Sequence, residues 1–298
     1  MTESASASPP ASISPAVTET LDCGGRELSL RHPRVMGILN VTPDSFSDGG
    51  RFVGAQAAVD HARAMQEAGA AIIDVGGESS RPGATGVPEQ EELDRVIPVL
   101  EALHGAVEVP LSVDTTKPGV MKAAAAAGAG LINDITALRS PGALEAARET
   151  GLPVCLMHMQ GAPATMQDNP TYSDVLGEVT AFLRQRLDAA GAAGIPRSRL
   201  LVDPGFGFGK RDPHNARILA GLPALTELGV PVLAGLSRKS LVGRVLGREL
   251  PDRLAGSVAA AALAAWHGAS IIRAHDVAET LDAVNLMAYV RQHGGGDA

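Results

Sequence analysis

Arg273 and His275 stand two residues apart in IIRAHD (271–276). In an extended strand that spacing puts a guanidinium and an imidazole on the same face. Together they suit a phosphate or pyrophosphate, because an arginine fork matches two oxygens of such a group at once. An ion pair between Arg273 and Asp276, or a neighbouring carboxylate, fits the same residues. A second cationic site lies in GLSRKS (235–240), where Ser237, Arg238 and Lys239 occupy a strand-to-helix turn. Free amides at a helix start make an anion pocket there, and a capped helix with two solvated cations is the other reading. Lys239 also permits Schiff-base chemistry.

Carboxylates and amides complete the set. Asn40, Asp74 with Glu78, Asp114, Asn133, His158 and Asp203 each close a short apolar run. DPGFGFGK (203–210) is not a P-loop, since Arg211 and not Ser or Thr follows Lys210, and it lacks the G-x-G-x-x-G spacing. It reads instead as a glycine loop that lets backbone and Phe206 or Phe208 approach a flat ligand, with Asp203 aimed the same way. GGESSRPGA (76–84) is a weaker signal, a loop carrying Ser79, Ser80, Arg81 and Pro82. His158 reads as a core histidine. A metal-dependent amidohydrolase would place paired histidines at the end of the first strand, where Asn40-Val41-Thr42 stands.

The elements that must position these groups repeat as one unit. Strands are expected at 35–42, 71–77, 110–115, 131–136, 153–159, 200–205, 231–237 and 270–276. Helices are expected at 55–68, 88–104, 117–127, 140–150, 173–193, 213–228, 239–267 with a break at Pro251, and 277–292. Near-continuous apolar strands alternating with helices indicate a parallel sheet covered on both faces. Eight such units indicate an α/β fold, a (β/α)8 TIM barrel, in which all the strand ends ring one mouth. An open doubly wound sheet would carry a dinucleotide fingerprint after its first strand. Before the barrel, LDCGGRELSLRHPRV predicts a β-hairpin around Gly24-Gly25. Residues 1–19, rich in Ser, Ala, Pro and Thr, are expected to be a disordered tail, and 20–298 one domain.

Composition narrows the ligands. With 25 basic and 33 acidic residues the net charge is -8, a poor match to nucleic acid or an anionic membrane. The 45% hydrophobic content supports a sizeable core without a bilayer-spanning run. The N-terminus has neither the basic start nor the apolar stretch of a signal peptide. Two cysteines far apart in sequence suggest neither zinc nor a disulfide framework, which makes a reducing cytoplasm the expected location.

Taken in order, MGILNVTPDSFSDGG, DVGGESSRPGA, SVDTTKP, INDI, CLMHMQG, LLVDPGFGFGK, GLSRKS and IIRAHD closely resemble dihydropteroate synthase of bacterial folate synthesis. The resemblance runs from about Leu21 to the last helix. It implies a TIM barrel, usually homodimeric, joining 6-hydroxymethyl-7,8-dihydropterin diphosphate to 4-aminobenzoate with assistance from Mg2+, and competed for by sulfonamides. It also implies roles. Asp203 accepts hydrogen bonds from the aminopyrimidinone edge, Asp114 and Asn133 are further pterin contacts, and Lys239 touches the same ring. Arg273 and His275 become the pyrophosphate cradle, and Asn40 ligates Mg2+ or contacts the diphosphate. Asp44 and Phe46 belong to a mobile first loop (42–52), and Arg81 and Pro82 to a partner loop (77–86). Ser80 stands where many members have threonine, so small effects on aminobenzoate binding are expected. The competing readings are a folate-dependent methyltransferase barrel, a pterin-binding paralogue without catalysis and a lysine aldolase.

Overall fold

The computed structural model of the chain describes residues 19–41, 50–81, 83, 84 and 86–294. The expected tail apart from Glu19's position, the first loop with Asp44 and Phe46, and Pro82 lie outside the described residues. Two short strands, β1 (Thr20–Cys23) and β2 (Arg26–Ser29), form the antiparallel hairpin expected around the glycine pair. Gly24 and Gly25 take φ of 66° and 86°, the positive values that a two-residue hairpin turn matched to strand twist requires.

Eight parallel strands follow: β3 (Arg34–Asn40), β4 (Ile72–Gly76), β5 (Leu111–Asp114), β6 (Leu131–Asp134), β7 (Val154–Met157), β8 (Leu200–Asp203), β9 (Leu233–Gly235) and β10 (Ile271–Ala274). Their spatial order is β8-β7-β6-β5-β4-β3-β10-β9. A parallel bridge between Val202 and Val232 joins the two ends, and the Val202 amide donates to the Pro231 carbonyl at 3.0 Å. The sheet therefore closes as a TIM barrel, as expected.

The helices form the outer ring. They are α1 (Gly50–Glu67), α2 (Glu89–His104), α3 (Pro118–Ala126), α4 (Ala143–Thr150), α5 (Val175–Ala192), α6 (Asp212–Ala220), α7 (Pro223–Thr226), α8 (Ser240–Leu246), α9 (Leu254–Trp266) and α10 (Val277–His293). In α5 the buried Val175, Val179, Leu183 and Leu187 recur every four residues, a stripe that faces the sheet. Two expected helices divide. Gly221 and Pro223 split 213–228 into α6 and α7. A glycine at φ 62°, Gly247, ends α8, and a short 3-10 turn at Leu250–Asp252 carries Pro251 before α9 starts.

Period two along each strand then sorts side chains into layers. Val35, Ile73, Val113, Ile132, Val202 and Ile272 belong to the large core between strands and helices. Their neighbours Met36, Ile72, Leu131, Cys155, Leu201, Leu233 and Ile271 form a separate cluster inside the barrel, closed from below by Leu21, Cys23 and Leu28 of the hairpin. The hairpin is thus the floor of the barrel. Two residues further along the same inward rows stand Asp74, Asn133, Asp203 and Arg273. One layer is apolar and the next is charged.

Candidate functional site

The upper layer lies at the C-terminal ends of the strands, where barrel active sites form. Asn40 is in register with Gly76, Gly76 with Asp114, and Asp114 with Asn133, so these residues share one rung of the ladder. Asp74 stands two residues before Gly76 in β4, which is about 7 Å deeper along the strand. Asn40 is exposed at the tip of β3, whereas Asp74, Asn133 and Asp203 are buried.

Arg273 crosses from β10 to reach β4 and β5. Its Nε donates to Asp74 Oδ2 at 2.6 Å and its Nη2 to Asp114 Oδ2 at 3.0 Å. The sequence left Asp276 open as its ion partner; that carboxylate instead takes the Arg238 fork, with Nε donating at 3.0 Å. Burial pushes the Asp114 carboxyl up to about 7; Arg273 opposes the rise, and the charge of Asp74 adds to it. The Asn133 amide donates through Nδ2 to Asp74 Oδ2 at 3.2 Å.

Asp203 and Lys239 form the opposite wall. Asp203 Oδ1 accepts the Gly205 amide at 2.6 Å, and burial raises its carboxyl against the lowering pull of Lys239. Lys239 Nζ donates to the Phe206 carbonyl and lies 4.7 Å from the centre of the Phe208 ring. Burial lowers it to about 8, while Asp203 holds it up and Arg273 pushes it down. Asp203, Lys239, Arg273 and Asp114 therefore act on one another within a single mouth. Of the two phenylalanines proposed to meet a flat ligand, Phe206 is buried in the core, which leaves Phe208 beside Lys239.

At the rim, Ser237 Oγ accepts the His275 amide at 3.2 Å and sits 3.0 Å from His275 Nδ1. Where the Ser237 hydroxyl, already accepting from the backbone, donates its proton to Nδ1, the ring proton of neutral His275 sits on Nε2. Burial, then Arg273 and Arg238, lower His275 to about 4, and the field of Arg81 contributes. Arg81 itself is exposed and Ser80 half-buried at the start of the partner loop. Behind that loop Lys117 joins Glu78 to the buried Glu92 of α2. The described residues among those predicted for the site, Asn40, Ser80, Arg81, Asp114, Asn133, Asp203, Lys239, Arg273 and His275, thus converge at one end of the barrel.

Two supporting residues escaped the sequence reading. Asp74 was visible as a strand-end carboxylate, and its signal is that it is the one charge within AIIDVGG. Lys210 entered only as the lysine of a failed P-loop. It is fully buried, and its Nζ meets His158 Nδ1 at 2.9 Å and the carbonyls of Gly205 and Phe208 at 2.9 Å each. Gly205, Gly207 and Gly209 all have φ between 62° and 80°, and a Cβ at Gly205 would collide with the His158 carbonyl. Lys210 is the pin of this glycine loop, and His158 is one of its acceptors, as a core histidine would be.

Fold and mouth together define a (β/α)8 barrel with its charged layer at the C-terminal ends of the strands, where barrel enzymes do their chemistry. The sequence pattern of the family described as pterin binding enzyme matches residues 36–275. Dihydropteroate synthase of Escherichia coli (strain K12) is 55% identical over 263 residues, covering 88% of this chain and 93% of its own length. Xanthomonas albilineans dihydropteroate synthase solved with 4-aminobenzoic acid is 57% identical with a TM-score of 0.87, covering 92% of this chain and 99% of that one. The Xanthomonas enzyme in complex with 7,8-dihydropteroate gives 55% and 0.84, over 91% and 98%. The chain belongs to the dihydropteroate synthase family of pterin-binding enzymes.

Replacing Lys210 by Met takes the buried donor from the Phe208 and His158 carbonyls and from the His158 imidazole nitrogen, at a cost of about 1–3 kcal/mol for each group left unsatisfied, while the Gly205 carbonyl keeps the Phe208 amide. Urea denaturation of Lys210→Met should show a loss of at least about 2 kcal/mol. An unchanged midpoint would mean that the loop stands without its pin.

Proposed function

We propose that the chain condenses 6-hydroxymethyl-7,8-dihydropterin diphosphate with 4-aminobenzoate, giving 7,8-dihydropteroate and pyrophosphate. The single observation that carries this reading is the shared mouth, with a polar wall on one side and a cationic rim on the other. Asp203 accepts paired hydrogen bonds from the aminopyrimidinone edge, and Asp114 and Asn133 contact the rest of the ring. Lys239 adds charge beside it. These are charge-assisted contacts, stronger than neutral ones and selective for orientation.

The substituted carbon is the methylene that bears the diphosphate. Its C–O bond breaks with both electrons leaving on oxygen, and the pterin ring stabilises the cation that remains. The neutral arylamine nitrogen then bonds to the methylene and releases a proton to solvent, so no strong base is required. The barrier falls chiefly by holding the departing negative charge. Two unit charges 4 Å apart interact by about 1 kcal/mol in water but about 4 kcal/mol at an effective dielectric near 20. Arg273 and the His275 Nε2–H therefore act best in a mouth that excludes water. Ser80 and Arg81 border the aminobenzoate side.

Mg2+ fits the donors. Among the described residues no cluster of three acidic, histidine or cysteine side chains could hold a metal alone. Asn40 offers one neutral amide oxygen at the rim, which suits a hard cation arriving with phosphate oxygens and water as its other ligands. Bound in that way, Mg2+ supplies positive charge to the leaving group.

The assembly proposed is a homodimer. Val245 and Leu246 of α8, Leu263 and Trp266 of α9, and Leu286 and Tyr289 of α10 are exposed large apolar side chains on helices packed side by side. In α9, Ala261, Ala264 and Ala265 pack inward while Leu263 and Trp266 face out. Sedimentation velocity should give a dimer, and a monomer at micromolar concentration would remove this surface from consideration. No helix among the described residues is long and apolar enough to cross a membrane, and both cysteines are free and buried. A reducing cytoplasm suits them.

Coupled pyrophosphate release with both substrates, with and without Mg2+, tests the reaction, and dihydropteroate must be the product. Pterin binding without turnover would favour the paralogue reading. Arg273→Ala should lower turnover at least about tenfold, the loss of one charged contact. The pH profile of kcat/KM reports groups of the free enzyme. Ionised Asp114 is populated above about 7 and lost as pH falls through it, while charged Lys239 is present below about 8 and lost as pH rises through it. A maximum between these values is expected, with the acidic limb abolished in Asp114→Asn. A profile flat from pH 6 to 9 would contradict both assignments.

A further inference from the structure

Asp74 touches no solvent, with 0% of its surface exposed, so any part it has in the reaction must pass through other side chains. It is a carboxylate in a strand whose neighbours Ile72, Ile73 and Val75 are fully buried and apolar. Such a group is costly unless it is paired. We propose that Asp74 is a positioning residue that sets the Arg273 guanidinium of the diphosphate cradle and the Asn133 amide of the pterin wall from one shared oxygen. This rests on the function proposed above and adds the residue that joins its two halves.

The bonding pattern carries the inference. A carboxylate present only to neutralise an arginine would meet the fork with both oxygens. Here Oδ2 takes both Arg273 Nε at 2.6 Å and Asn133 Nδ2 at 3.2 Å, while the buried Oδ1 has no partner among the described residues. One oxygen thus locks two side chains of different strands next to each other. By taking Nε, Asp74 fixes the plane of the guanidinium and leaves its terminal nitrogens at the mouth. Nη2 lies on Asp114, itself a proposed ring contact, and among the described residues Nη1 has no partner. At Asn133 the consequence is orientation. A carboxylate in an ion pair only accepts, so the NH2 end of the amide must face it. The amide oxygen is then the end presented to a ring N–H.

The test uses the full-length enzyme and the near-isosteric Asp74→Asn. Turnover should fall at least tenfold, and the Kd for pyrophosphate, titrated calorimetrically in Mg2+ buffer, should rise at least tenfold. The KM for 4-aminobenzoate should stay within twofold, which general damage to the barrel would not allow. In an Arg273→Ala background, Asp74→Asn should change pyrophosphate affinity by less than twofold, because the residue acts through the missing guanidinium. Unchanged pyrophosphate affinity in the single variant, or an equal loss in both backgrounds, overturns the proposal. Should Asp74→Asn not fold, Arg273→Lys decides the matter. Lysine keeps the charge but has no Nε to rest on Asp74 while another nitrogen reaches Asp114. A tenfold weaker pyrophosphate affinity is expected, and wild-type affinity overturns the positioning role. Wild-type enzyme that forms no dihydropteroate would remove the proposed reaction, while the pyrophosphate titrations would still report on Asp74 alone.

Discussion

A guanidinium held between two carboxylates at the top of the barrel is the constraint on which the rest of the mouth depends. Arg273 belongs to β10, and Asp74 and Asp114 belong to β4 and β5, so the bonds pass over β3. None of these charges is affordable alone in a buried layer, and each removes the cost of the others. Asp203 and Lys239 add one charge of each sign on the far side, within the same field. The mouth is therefore a nearly balanced set of charges. On the proposed roles, a pterin that took Asp114 as an acceptor would compete with Arg273 Nη2 for it and leave the Asp74 bond in place, so that the guanidinium would meet a diphosphate less fully neutralised.

The layering explains how eight short strands deliver such a set without disturbing the fold. Inward rows carry Met36, Ile72, Leu131, Leu201 and Ile271 in the lower layer and change character within two residues. The lower layer packs on Leu21 and Leu28 of the hairpin, so stability is concentrated at one end of the barrel and chemistry at the other. Hydrophobic packing below does not compete with desolvated charge above.

How much of this was legible follows from the range of the interactions. Strand-end residues such as Asn40, Asp114, Asp203, Arg273 and His275 announce themselves because polarity at the end of an apolar run is a local pattern. The barrel is legible because the same pattern occurs eight times. Asp74 was seen but given no role, since its meaning lies in a bond to Arg273, which stands 199 positions away in sequence. Lys210 was likewise given no role once the P-loop was set aside, because only packing shows that its acceptors are protein carbonyls and the His158 ring. The division of 213–228 was missed although Gly221 and Pro223 were in view, because the apolar periodicity continued across them. Register was beyond reach altogether, as nothing local says that Asn40 and Asp114 flank Gly76.

Lys210 also bears on why this wall of the mouth can be precise. A loop of alternating glycines with positive φ loses more entropy on ordering than almost any other sequence. One ammonium bonded to carbonyls at Gly205 and Phe208 offsets that loss from inside. Asp203 then takes its hydrogen bond from Gly205, and Lys239 gives one to Phe206. Both ring-facing charges are consequently referenced to a loop whose own support is buried. A lysine used this way is pushed well below its ordinary range by burial. That penalty falls on Lys210 at the base of the loop, and Asp203 and Lys239 take their places from the backbone it holds.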